Sequence, residues 1–247
     1  MFKKASACAG AFLLWCAPVT REQATANPTL EQETRLWQAG CRRVAGVDEA
    51  GRGALAGPVV AAAVVLPCHA PLAGVWEAVR DSKLLRPAAR AALAEAIQAE
   101  AADWAVGIVP AATIDEIGIA AATRAAMCQA IAGLGAPPDY LLVDWVRLPT
   151  LNIAQLCVAK ADATMVSVAA ASILAKVTRD ALLVEADALY LQYGFAGHKG
   201  YGTAAHRAAL ARFGACPEHR RSFAPLAAQP SLFALNAEER AWIDDAG

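Results

Sequence analysis

The chain of 247 residues has no CxxC pair, no Walker loop and no apolar run long enough to cross a bilayer as a helix. Each absence removes a class of function. Its seven cysteines, at 8, 16, 41, 68, 128, 157 and 216, never take metal-ligand spacing, and an odd number set partly in apolar runs fits reduced thiols better than a disulfide framework. A cytoplasmic protein is expected. Lys3 and Lys4 precede an apolar stretch, Ala7 to Val19, that has the look of a secretory signal, but no small-x-small cleavage site follows it. Aromatic residues are few (six Trp, four Tyr, six Phe), and the 57% hydrophobic content is mostly Ala, Val and Leu, which favours alanine-rich helices over an all-β fold. A formal net charge of -1 gives no overall attraction to a polyanion, so nucleic-acid binding needs charge segregated onto one face. The glycines that do cluster, GRGALAG, follow two carboxylates and lack dinucleotide-fingerprint spacing.

What is present centres on Val44 to Val60, VAGVDEAGRGALAGPVV. Val44 to Val47 reads as the end of a strand and Val59 to Leu66 as its hairpin or sheet neighbour. Asp48 and Glu49 then stand at a strand end, where alternation should send them to opposite faces unless the backbone bends or a cation gathers them. Gly51 and Gly53 allow the backbone to approach a ligand, and Arg52 brings a phosphate-seeking fork. Taken alone, the stretch also fits an acidic turn over a structural glycine loop.

Periodicity predicts helices at Leu30 to Gln38, Pro87 to Ala102, Ile117 to Ala132 (opened by a Thr113/Glu116 capping box) and Val166 to Leu191. Strands are expected at Trp104 to Val109, Tyr140 to Trp145 and Leu151 to Ala159, which makes the fold class α/β. Asp144 lies near the end of one strand, where ligands gather in open α/β sheets, and Asp162 follows another. Ser172, Lys176 and Arg179 recur at i, i+4 and i+7, so one helix face carries a hydroxyl and two cations, suited to a phosphate or simply to solvent. Between Tyr193 and Phe223, Lys199, Arg207, Arg212, Arg220 and Arg221 against Glu218 leave a charge of +4, interleaved with Tyr193, Phe195 and Tyr201. His198, His206 and His219 show no ligand spacing.

Asp48, Glu49, Asp144 and Asp162, if crowded, raise one another's pKa, a penalty that a hard divalent cation reverses. Mg²⁺ or Mn²⁺ prefers such oxygen ligands. With a basic, aromatic rim, the matching reaction is phosphodiester hydrolysis assisted by two ions about 3.5 to 4 Å apart.

These residues closely resemble the bacterial ribonuclease HII family from about Leu30 to Leu226. The matching motifs run in order: GVDEAGRG at 46 to 53, DSK at 81 to 83, LVD at 142 to 144, KAD at 160 to 162, AAASILAKVTRD at 169 to 180, YGFAGHKGYGT at 193 to 203 and HRRSF at 219 to 223. The resemblance implies a ribonuclease H-like mixed β-sheet flanked by helices, with a helical C-terminal segment. It implies an endonuclease that cuts RNA in RNA/DNA hybrids and cuts 5′ of ribonucleotides embedded in duplex DNA, as in ribonucleotide excision repair, leaving 3′-hydroxyl and 5′-phosphate ends. Asp48, Glu49, Asp144 and Asp162 are then the metal-binding catalytic acids. Gly51, Arg52 and Gly53 are expected to read the 2′-hydroxyl, Tyr201 to stack on the following sugar, and Ser172, Lys176, Lys83, Lys199, Arg220 and Arg221 to contact substrate.

Some positions depart from the family pattern. Ala54 stands for a frequent Pro, Gly118 for a common Asn, Ala161 for Gly, and Trp145 for the Gly that normally follows the third acid. A binding module without turnover and a resolvase-like nuclease of the same fold are the competing readings. Residues 1–28 are expected to form a disordered or misassigned extension, 29–226 the catalytic domain and 227–247 an acidic tail, in a protein that acts as a monomer.

Overall fold

The structure, a computed structural model, describes residues 27–79 and 85–228, so Lys83 with its DSK motif, most of the N-terminal extension and most of the acidic tail lie outside the described residues. In chain order, α1 (Glu31–Gln38) leads to β1 (Val44–Ala50) and β2 (Val59–Val65), then α2 (Val75–Ala78), α3 (Pro87–Glu100) and β3 (Asp103–Val109). Next come α4 (Ala111–Ile117), α5 (Ile119–Ala132), β4 (Tyr140–Asp144) and β5 (Ala154–Val158), and then α6 (Val166–Leu189), α7 (Phe195–His198) and α8 (Ala204–Phe213).

The five strands form one sheet in the order β3-β2-β1-β4-β5. β1, β2 and β3 pair antiparallel, while β4 runs parallel to β1 and β5 parallel to β4. The central parallel pair matters most: Val47 is level with Val143, so the acids that follow each valine reach the same sheet edge.

Both faces of the sheet are covered, and β2 shows why. Its sequence VVAAAVV is buried at every position; Val60, Ala62 and Val64 face the layer containing α6, and Val59, Ala61, Ala63 and Val65 face the layer containing α5. Burying each such valine contributes about 1.5 to 3 kcal/mol. Small residues bring α6 unusually close. At Gly46 on β1, an added Cβ would lie 2.2 Å from the backbone carbon of Ser167, so any side chain there would push the helix off the strand.

The expected helix at 117 to 132 forms as α5, and the segment read as its capping box is a separate helix, α4. Pro110 in extended conformation opens α4 without a side-chain cap, so the Thr113/Glu116 capping box does not form, and Gly118 at φ +79° breaks the run before α5. A residue in the left-handed region cannot continue a right-handed helix.

Candidate active site

Neighbours of Asp48 on β1 settle its orientation. Val44 and Ala50 pack in the layer beneath α6 and Ala45 and Val47 in the opposite layer, so Asp48 faces α6, where the Ser172 hydroxyl hydrogen-bonds to it, and Glu49 starts from the other face. The divergence expected from strand alternation is present. The longer glutamate side chain overcomes it at the strand end, since one oxygen from each of Asp48, Glu49 and Asp144 lies within 4.8 Å of the others. Asp144 is held by the Ala161 amide, which donates to Oδ1 at 2.8 Å. Asp162, on a short 3₁₀ turn (Ala161–Ala163), is buried on the wall of the same pocket, outside that tight trio.

The acids are poorly neutralised. Burial, then the charges of Glu49, Asp144 and Asp162, hold Asp48 well above the usual carboxylate range. Glu49 is pushed up to about 7, first by burial and then by Asp144, against the opposing Trp145 indole N–H and Arg52. Its Oε2 is buried without a hydrogen-bond partner. Three converging carboxylates, one with an orphaned buried oxygen, fit a hard divalent cation.

Gly51, Arg52, Lys160, Ser172, Lys176 and Tyr201 line the pocket together with the four acids. Lys176 lies 5.3 Å from the Tyr201 ring centroid and pairs with Asp180 at 2.7 Å, so its charge is shared between the pocket and its own helix. Gly53 is exposed on the adjoining loop. Lys199 turns its ammonium back onto the Ala196 carbonyl, away from the pocket lining. Arg221 is exposed, with its backbone N–H bound to Asp115.

Arg220 corrects the sequence-based expectation of a substrate contact. It is fully buried, donating to the carbonyls of Gly57 at 2.9 Å, Arg52 at 2.9 Å and Pro58 at 3.0 Å. Arg179 likewise leaves the expected phosphate ridge: it is fully buried and donates to Pro58, Lys199 and Ala56 carbonyls at 2.9 to 3.0 Å. These two guanidiniums fix the loop after β1 from behind. At Gly51, with φ +93°, an added Cβ would sit 1.9 Å from Arg179 Nε, so this glycine is required by both conformation and space. Tyr193 and Phe195 are also buried and pack in the small C-terminal core, which leaves Tyr201 as the pocket's stacking candidate among the three.

Two of the three histidines that lack ligand spacing in sequence, His206 and His219, prove to be one hydrogen-bonded chain. His206 Nδ1 meets the Tyr201 carbonyl at 3.0 Å, so that nitrogen carries the proton, and His206 Nε2 accepts from His219 Nε2, also at 3.0 Å. His219 Nδ1 then accepts from the Cys216 amide at 3.0 Å. This chain ties the Tyr201 loop to the C-terminal segment. The signal was present in the sequence only as three unassigned histidines, because their spacing is dictated by two helix ends and a turn.

Trp145 takes the left-handed region at φ +47°, centred in a three-residue turn closed by the Val146 amide on the Asp144 carbonyl at 2.6 Å. A glycine would occupy this position without strain.

Against this geometry, the family model described as Ribonuclease HII matches residues 45–226. A Ribonuclease HII from Geobacillus kaustophilus is 53% identical over 80% of this chain and 74% of its own length. One from Roseiflexus castenholzii is 51% identical over 81% of this chain and 89% of its own. Among solved structures, the ribonuclease H2 of Pyrococcus horikoshii is 28% identical, with a TM-score of 0.65, over 75% of this chain and 96% of its own.

Proposed function

The chain belongs to the ribonuclease HII family, and we propose from that premise that the pocket cuts 5′ of ribonucleotides embedded in duplex DNA as well as within RNA/DNA hybrids. It is a metal-dependent endoribonuclease acting on RNA/DNA. The single observation that carries the site is the convergence of Asp48, Glu49 and Asp144 within 4.8 Å, with Asp162 lining the same pocket.

In this reading Asp48, Glu49, Asp144 and Asp162 hold Mg²⁺ or Mn²⁺, with two ions in the reacting complex. When bound, the metal supplies an activated water and charge stabilisation at the phosphate. The remaining work falls to the chain. Ser172 orients Asp48 through its hydroxyl, and the Ala161 amide orients Asp144. Lys176 places a cation beside the scissile phosphate, and the backbone of Gly51 to Gly53, with the Arg52 carbonyl anchored behind by Arg220, meets the 2′-hydroxyl. Tyr201 stacks on the sugar that follows the ribonucleotide. Arg221, exposed at the C-terminal segment, adds a sequence-independent phosphate contact.

The catalytic unit spans 29–226, with 1–28 and 227–247 dispensable, and works as a cytoplasmic monomer. No helix among the described residues is long and apolar enough to cross a membrane. The test is a cleavage assay on duplexes with zero, one and four ribonucleotides, in Mg²⁺, Mn²⁺ or EDTA. Metal-dependent cutting only where a 2′-hydroxyl is present is the expected result. Preference for branched, ribose-free DNA would favour a resolvase, and binding without cutting a non-catalytic module.

A further inference from the structure

A half-exposed indole at the pocket mouth would be unremarked surface if it touched nothing of consequence. Trp145 instead touches two site residues at once. Its Nε1–H donates to Glu49 Oε1 at 3.2 Å, and the Arg52 guanidinium carbon lies 3.9 Å from the centroid of its ring. Arg52 Nη1 is itself 3.7 Å from that same Glu49 oxygen. Indole, guanidinium and carboxylate therefore form a closed triangle.

We infer that Trp145 is a positioning residue whose indole joins Arg52 and Glu49 in one clamp, presetting the Glu49 carboxylate for a divalent cation. The inference rests on the metal-dependent reading above. A glutamate has three rotatable side-chain bonds, so at a strand end it needs an external partner to hold one orientation. Fixing Oε1 at the rim leaves Oε2 as the buried oxygen with no partner, in a carboxylate that has an oxygen within 4.8 Å of oxygens of Asp48 and Asp144. An arginine stacked at this distance gains from the ring face while its planar fork stays directed at the carboxylate. From behind, the Arg52 carbonyl is held by Arg220, so the clamp restrains from the front a loop that is already fixed at its back. The left-handed backbone of Trp145 is the cost of aiming the ring this way, and strain of this kind persists where surrounding contacts enforce it.

Mn²⁺ titration by calorimetry, without nucleic acid, on the wild type, Trp145→Phe and Trp145→Gly tests the clamp directly. Trp145→Gly should bind Mn²⁺ about tenfold more weakly, the range for losing a group that orients a metal ligand. Trp145→Phe, which keeps a ring for Arg52 but loses the N–H, should fall between. The Trp145→Gly melting temperature should be no lower than wild type, since glycine accepts φ +47°, and raising the metal concentration should restore most of its cleavage. Mn²⁺ binding as tight as or tighter than wild type in Trp145→Gly would overturn the inference and make the indole an obstruction. So would a Trp145→Phe protein identical to wild type. If Mn²⁺ affinities follow the expected order while no protein cuts a ribonucleotide-containing duplex, the clamp stands and the cleavage reading falls.

Discussion

Two like-charged clusters meet at the loop after β1, and the protein handles them in opposite ways. In front, Asp48, Glu49 and Asp144 crowd together with little neutralisation, and burial plus mutual repulsion push Asp48 and Glu49 toward the protonated state. Behind, Arg179 and Arg220 are both fully buried, but their six hydrogen bonds among the described residues all go to backbone carbonyls, from Arg52, Ala56, Gly57, Pro58 and Lys199. Arg220 is lowered to about 9, first by burial and then by Arg179, and so stays charged at neutral pH. A buried charge satisfied by neutral dipoles belongs to the architecture, whereas one left with an orphaned oxygen awaits a ligand. The contrast separates two groups of charged residues that look alike in sequence.

The largest effect should come from breaking the front cluster. Asp48→Asn or Asp144→Asn should lower turnover by a thousandfold or so, about 4 kcal/mol, because each removes a metal-facing carboxylate. Thermal melting in EDTA should show no loss of stability, and even a gain, since repulsion falls. Substantial destabilisation without metal would mean that these acids hold the fold together and would erase the contrast.

Breaking the rear cluster should do the reverse. Arg220→Ala removes the donor from the Gly57 and Arg52 carbonyls, leaving the Pro58 carbonyl to Arg179 alone, and should cost about 3 kcal/mol of stability in urea denaturation, with Arg220→Lys recovering little because an ammonium cannot reproduce the fork. Arg221→Ala, one residue on but exposed, should stay within about 0.5 kcal/mol. Equal effects at 220 and 221 would contradict the carbonyl clamp.

Tyr201 touches both regions: its ring lines the acid pocket and lies 5.2 Å from the Arg179 guanidinium, while its carbonyl is held by His206. Tyr201→Ala should lose about 1 to 3 kcal/mol in kcat/KM, with Phe restoring more than Leu, and the loss should be greater on a single ribonucleotide than on a continuous RNA strand. Mn²⁺ affinity should not change. Equal losses on both substrates would reject junction sensing by the ring.

Much of this was legible before the fold. Strand periodicity located β1, β2 and β4, and the acid at the end of β4, half-buried in the fold, stood out because a charge in an apolar run requires a partner. Missing were the features that depend on what lies opposite. Arg220 sits in a basic, aromatic stretch and reads as a phosphate ligand, and only the folded loop reveals six carbonyl bonds shared with Arg179. Thr113 and Glu116 have capping-box spacing, but Pro110 starts the helix earlier and makes the cap unnecessary. The histidine chain joins positions thirteen residues apart, beyond any helical or strand period. At Trp145, sequence marked the departure, while its contacts with Glu49 and Arg52 needed the turn after β4 to be seen.

The smallest predicted effect is a pH dependence in which the two regions pull against each other. His219 is lowered to about 4, by burial and then by the charge of His206, so between pH 6.5 and 4 the unfolded chain binds the extra proton. Its contribution is therefore complete above pH 6.5 and is lost as pH falls toward 4, about 1 to 2 kcal/mol on going from pH 7 to 5. Glu49, raised to about 7, has the opposite sign: between pH 7 and 4.5 the folded chain binds the extra proton, so acidification stabilises the metal-free protein. In EDTA the two slopes oppose each other over pH 5 to 7, with Asp48, also raised, acting in the same direction as Glu49. Saturating Mg²⁺ requires the carboxylates ionised and removes the acid-side compensation, so stability should then fall clearly on acidification. His219→Gln should flatten that fall with Mg²⁺ and, in EDTA, leave a protein that gains stability toward pH 5 relative to wild type. Urea midpoints at pH 5, 6 and 7 for the two proteins, each with EDTA and with Mg²⁺, measure both slopes. Wild-type curves that are parallel with and without metal would show that the front acids carry no unfavourable charge to relieve.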